Sequence, residues 1–193
     1  MISVSDAFNP LKLALEKAGV RFAVGGSWAS TSYGEPRFTN DVDILADFGA
    51  ENLREFLVAL PKSFFADPDE AGAAVQQGRP FNVIYMPLAF KFDFFPAAAF
   101  ALGKQELDRA VYLADSGLSG DAVPFVTPED ILLAKLNWFR AGGEVSEVQW
   151  RDIAGIVRGK GEGLDREYLV ASAAVLGLEG LLARALGLAG LRR

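Results

Sequence analysis

The sequence predicts an α+β fold, a mixed sheet flanked by helices that gives way to a helical C-terminal region. Three observations predict it. Short β-rich runs alternate with helical patterns through the first two-thirds of the chain. The last third shows only helical periodicity, with helix starts and glycine stops. And 51% of the 193 residues are apolar, ample for a packed core. Residues 1–120 read as the α/β core and 121–193 as the helical region.

The elements follow in order. Asp6 to Ala18 reads as a helix, stopped by Gly19. Val20 to Val24 is a short strand that runs into a Gly25-Gly26 turn. Ser27 to Tyr33 starts a helix with Ser27 as its N-cap, and Gly34-Glu35-Pro36 ends it. Asp41 to Ala46 is a second strand, and Asn52 to Leu60 a helix closed by Pro61. Asp67 to Pro80 is weakly patterned and reads as a short helix plus loop. Phe81 to Met86 is β-rich. From Ala89 to Phe95 the pattern alternates, with Phe90, Phe92 and Phe94 on one face and Lys91, Asp93 and Phe95 on the other. Val111-Tyr112-Leu113 adds an edge strand. Thr127-Pro128-Glu129-Asp130 is a strong helix start: a capping threonine, proline in the first turn, then two acids at the positive end of the dipole. That helix runs to about Arg140 and stops at Gly142-Gly143. Val145 to Arg158 is another helix, and Tyr168 to Leu188 gives one or two more. The phenylalanines of the alternating strand, Phe95 among them, and Trp28, Trp138 and Trp150 are expected to be core or helix-packing residues.

Composition narrows the chemistry. There is no histidine and no cysteine. Imidazole bases, thiol nucleophiles, thiolate metal sites and disulfides are therefore absent. Catalysis has to run on carboxylates, Lys, Arg, Tyr, Ser, Thr and bound cations. The net charge of −6 argues against a broad basic face for nucleic acid. No signal peptide and no uncharged apolar run of about 18 residues is visible, so a cytoplasmic protein without a membrane partner is expected.

Within that restriction, one stretch carries the functional signal. Asp41 and Asp43 are separated by one residue in a strand, so they point to the same face. Paired carboxylates repel unless a cation lies between them, and a hard divalent ion such as magnesium prefers oxygen ligands. The glycine turn upstream lets backbone N–H groups approach phosphate oxygens, with a helix N-terminus behind it. Asp93, on the polar face of a later strand, supplies a third acid. Three such carboxylates suit two-metal phosphoryl transfer, in which one metal activates the attacking oxygen and the other stabilises the leaving pyrophosphate.

Gly25-Gly26-Ser27 followed by Asp41-Val42-Asp43 resembles the signature of the nucleotidyltransferase-fold superfamily, which includes DNA polymerase β and small aminoglycoside nucleotidyltransferases. The longer run Gly34-x-x-Arg37-x-Thr39-x-Asp41-x-Asp43 resembles the minimal nucleotidyltransferase-like proteins related to the AbiEii toxin family and uncharacterised bacterial relatives. Phe81-Asn82-Val83-Ile84 with Lys91-Phe92-Asp93-Phe94 is similar to the strands bearing their third carboxylate. Pro128-Glu129-Asp130, Lys135 and Trp150-Arg151-Asp152-Ile153 are similar to their C-terminal helices. The likeness spans roughly Val20 to Ile156 and implies the polymerase β-like mixed sheet.

It also implies roles. Asp41 and Asp43 would bind two Mg2+ ions, with Mn2+ as a substitute, and Asp93 would ligate one of them and act as base. Gly25, Gly26 and Ser27 would hold the triphosphate of an NTP, with Lys135, Arg37 and Lys91 as further phosphate contacts. The acceptor of the NMP would be a small molecule, a tRNA end or a protein side chain. An antitoxin partner comes with the AbiEii likeness. The competing expectation is a non-catalytic nucleotide-binding or protein-interaction module that keeps the fold. A dinucleotide-binding turn is disfavoured, because no third glycine follows Gly25-Gly26.

Overall fold

The computed structural model describes residues 3–188 and 190. The chain divides into two compact units. One runs to Val24 and again over Thr39–Phe125; the other takes Gly25–Phe38 and the chain from Val126 on.

The first unit is built on a mixed sheet. Helix α1 (Val4–Lys17) starts earlier than the periodicity suggests, because Ser3 forms a capping box with Asp6. Its predicted stop holds, with Gly19 in the left-handed region at φ +64°. Strands β1 (Phe22–Val24) and β2 (Asp41–Ala46) pair antiparallel. Between β2 and the next hairpin lie α3 (Ala50–Ala59), the short strand β3 (Phe64–Phe65) and α4 (Pro68–Gln77). The weakly patterned stretch thus contains a fully formed helix. Asp67 accepts hydrogen bonds from two N–H groups of its first turn, and Gly78 closes it at φ +64°. Strands β4 (Phe81–Tyr85) and β5 (Phe90–Pro96) form an antiparallel hairpin. Helix α5 (Gly103–Arg109) and strands β6 (Val111–Leu113) and β7 (Val123–Phe125) complete the unit; of these only β6 is legible in the sequence.

Among the described residues the sheet has seven strands, in the order β3-β4-β5-β2-β1-β7-β6. The pairs β2–β5 and β1–β7 are parallel and the rest antiparallel. One face carries Val42, Ile44, Phe81, Val83, Phe92 and Phe94, all buried. Phe48 and Phe56 close over it. Phe94 lies 5.2 Å from Phe81 in a stacked pair, 5.3 Å from Phe56 and 5.6 Å from Phe48 in edge contacts. This cluster pins the register of β2 and β5, since a one-residue slip would turn the phenylalanines outward and the acids inward. Phe95 departs from the expectation of a core residue. It is only partly buried and rests against Phe100 at 6.3 Å.

The second unit is helical: α2 (Gly26–Tyr33), α6 (Pro128–Ala141), α7 (Glu147–Lys160), α8 (Arg166–Leu176) and α9 (Glu179–Gly187). The helix start at Thr127 is as predicted. Its Oγ1 accepts from the Asp130 N–H at 3.2 Å and donates to the Asp130 carboxylate at 2.7 Å. Helix α2 packs against α7 at unusually short range. A Cβ on Gly34 would lie 2.7 Å from the Gly155 carbonyl carbon, and one on Gly159 would lie 2.5 Å from the Tyr33 oxygen. Glycines at 34, 155 and 159 let the two backbones touch. Trp150 packs on Phe139 at 5.2 Å and Trp28 is partly buried, whereas Trp138 is 54% exposed and so is not a core residue. No helix among the described residues is long and apolar enough to cross a membrane.

Candidate active site

The alternation in β2 and β5 decides where the acids go. Asp43 is the register partner of Asp93, and Asp41 that of Lys91, on adjacent parallel strands. Register partners share a face, and so do residues two apart. Asp41, Asp43, Lys91 and Asp93 therefore stand together on the face opposite the phenylalanines, each partly buried. Asn82, paired with Asp93 across the β4–β5 hairpin, joins them. The sequence placed each acid on the polar face of a strand, and the β2–β5 register sets Asp43 beside Asp93.

Contacts refine the cluster. The Thr39 hydroxyl donates to Asp41 Oδ1 at 2.7 Å. Lys91 Nζ lies 2.7 Å from Asp93 Oδ2, with the Lys91 side chain 43% and the Asp93 side chain 13% exposed. The other oxygen, Asp93 Oδ1, is buried and has no hydrogen-bond partner. The Lys91 pKa is raised, first by its hydrogen bond to Asp93, against a desolvation cost, and then by the fields of Asp93, Asp41 and Asp43. Lys91 thus occupies the field of all three acids. Among the described residues no three carboxylates converge closely enough to hold a metal as they stand. The donor set still fits a magnesium-type ion: it is entirely oxygen, lies on one face, and includes a buried oxygen whose lone pairs are unused.

The second unit gathers the remaining candidates. Gly25, not Ser27, is the N-cap of α2, and it offers no side chain to the helix N-terminus. Gly26 has φ +52°, a conformation that favours glycine. Ser27, released from the capping role, accepts a hydrogen bond through its Oγ from Arg37 Nη2. Arg37 also donates through Nε to Asp152 at 3.3 Å, and Lys135 Nζ donates to Asp152 Oδ2 at 2.7 Å. Lys135 is not the surface lysine common on such helices; it is 5% exposed. One carboxylate thus serves two cations, one of which also donates to Ser27; guanidinium and ammonium groups are the kind that bind anions. Ser27, Arg37 and Lys135 come together as candidates, and Lys91 is drawn instead to Asp93.

Asp152 is the residue that sequence reasoning underrated, since the sequence placed it only within a run similar to C-terminal helices and gave it no role. Its signal was present. Asp152, Ile153, Ile156 and Val157 form one inward stripe of α7, and an acid on such a stripe needs a buried partner. Thr39, which anchors Asp41, was visible only as part of the motif.

No protein-family model matches the chain, and no curated protein matches it. Solved structures do. The antibiotic-resistance factor ANT(2'')-Ia superposes with a TM-score of 0.55 at 16% identity, covering 93% of this chain and 95% of that one. An antigenic nucleotidyltransferase-like protein from Paracoccidioides brasiliensis superposes with a TM-score of 0.54 at 18% identity, covering 96% and 92%. At these identities the likeness establishes the fold: an α+β fold of the nucleotidyltransferase type.

Proposed function

We propose that the chain is a metal-dependent nucleotidyltransferase that moves NMP from an NTP to a hydroxyl acceptor. The observation that carries the reading is the register. Asp43 stands beside Asp93 on adjacent parallel strands, with Asp41 on the same face, in a fold of nucleotidyltransferase type. Asp41, Asp43 and Asp93 would hold magnesium, which when bound would lower the pKa of an attacking hydroxyl and neutralise charge on the pyrophosphate. The side chains do the rest. Thr39 fixes the orientation of Asp41. Asp93 would accept the proton of the acceptor hydroxyl; the hydroxyl oxygen then forms the new bond to the α-phosphorus while the bond to the pyrophosphate oxygen breaks. Within the helical unit, Gly25, Gly26, Ser27, Arg37 and Lys135 would be the groups suited to a triphosphate, since backbone N–H groups and a guanidinium suit phosphate oxygens.

The acceptor on this reading is a small molecule. A net charge of −6 disfavours a polyanionic acceptor such as tRNA, and the first neighbour is described as an antibiotic-resistance factor. The AbiEii likeness carries a toxin role and an antitoxin partner only as the further proposal already attached to that motif. The ion pair between Lys91 and Asp93 favours one competing reading, a module that binds nucleotide without transferring it.

Calorimetry with each NTP, with and without Mg2+, tests the assignment. Binding that needs the metal and vanishes in Asp41→Asn/Asp43→Asn is expected. Tight NTP binding untouched by that double change would sink the metal assignment. Pyrophosphate release on screening acceptors separates transfer from binding alone.

A further inference from the structure

We propose that Lys91 is a built-in cation that holds Asp93 in the absence of metal and must be displaced before a divalent ion can use that carboxylate. The inference rests on the metal reading above. Lys91 is the strand partner of Asp41, and its neighbour two residues on, Asp93, is the partner of Asp43, so the ammonium is placed among all three acids by the backbone register. It spends its charge on Asp93 Oδ2 at 2.7 Å, which leaves Oδ1 buried with no partner. In that arrangement no three carboxylates converge on a point among the described residues.

The chemistry makes the two cations alternatives. A divalent ion bridging Asp93 and its neighbours would bring positive charge beside an ammonium already in contact with the same carboxylate. Like charges at that separation repel strongly where water is partly excluded. The Lys91 side chain is 43% exposed, so its flexible stem has solvent to swing into. The lysine therefore makes carboxylates on one face compatible with folding before any metal arrives, and it weakens the bare site for divalent ions. Any nucleotide brought with its metal has to supply the extra affinity.

Two measurements on the full chain test this. The first is Mn2+ binding followed by electron paramagnetic resonance in wild type, Lys91→Met and Lys91→Arg. Removing the charge is expected to tighten Mn2+ by about tenfold or more, from a single unit charge a few ångströms away. Lys91→Arg, which keeps the charge, stays near wild type. The second is thermal melting in EDTA. Lys91→Met is expected to melt lower than wild type because Asp93 loses its ion-pair partner, and Lys91→Met/Asp93→Asn to recover most of the loss.

Mn2+ binding in Lys91→Met that is no tighter than wild type, with Asp41→Asn/Asp43→Asn still abolishing it, would overturn the displacement and leave the metal site standing. An unchanged melting temperature for Lys91→Met in EDTA would overturn the counter-ion role. Mn2+ bound by none of the proteins would sink the metal reading and this inference with it.

Discussion

Replacing Asp152 by asparagine is the most informative single change to the helical unit. Lys135 is 5% exposed and donates to Asp152 at 2.7 Å, while Arg37 reaches the same carboxylate at 3.3 Å with its own side chain 26% exposed. The amide keeps the shape and loses the charge. Lys135 is then a buried ammonium facing a neutral group, and breaking a buried pair in this way costs about 3–5 kcal/mol. Arg37 adds little, since it is closer to solvent and can turn outward. For a chain of 193 residues, a loss of that size lowers the melting temperature by about 10 °C.

Lys135→Met should cost less, because Asp152 keeps Arg37. The double variant Lys135→Met/Asp152→Asn should be more stable than Asp152→Asn alone by about 1 kcal/mol or more, as expected for directly coupled residues. Urea unfolding of the four proteins, followed by far-ultraviolet circular dichroism, measures all three differences. Asp152→Asn within about 1 kcal/mol of wild type, or a double variant no better than the single, would show that the charge of Lys135 is not held by Asp152. The reasoning about the cluster beside Ser27 would then fail as well.

Two other perturbations probe the same unit. Tyr33 donates to the Val126 carbonyl at 2.8 Å, and its pKa is pushed up by burial first and by Glu129 and Asp130 second. Its proton is therefore held more tightly folded than unfolded. The associated stability is present below about pH 10, where the unfolded phenol begins to ionise, and is lost as the pH rises above it. The part of the 295 nm titration that Tyr33→Phe removes should lie well above pH 10, and Tyr33→Phe should flatten the alkaline fall in stability; a Tyr33 component near 10 in the folded protein would refute this. Gly34→Ala should destabilise by about 1–3 kcal/mol, since the methyl group would press on the backbone of Gly155 and Ile156. A thermal melt unchanged by Gly34→Ala would mean that α2 and α7 do not approach as closely as the glycines suggest.

Much of the fold is legible because its signals are local. The start of α6 at Thr127, the glycine stop of α1 and the alternation of β5 each depend on residues within a few positions. The short strands are a different matter. β3 spans two residues and β7 three, with Pro124 inside it. Such segments are strands because a neighbour completes their hydrogen bonds, and no periodicity exists over so short a run. The N-cap of α2 lies two residues before the expected Ser27, a fine cap by composition. Its hydroxyl is engaged instead by Arg37, ten residues later.

The candidate site divides in the same way. By itself the sequence determined that Asp41 and Asp43 share a face, that Asp93 lies on the polar side of an aromatic strand, and that no histidine or cysteine competes with them for chemistry. Those facts follow from a two-residue period and from composition. Tertiary structure alone decided that Asp43 and Asp93 are register partners, that Lys91 spends its charge on Asp93, and that Asp152 binds Lys135 and Arg37 together. Arg37 and Asp152 stand 115 positions apart. The partner a charge finds across such a distance is set by strand register and helix packing, which no local pattern encodes.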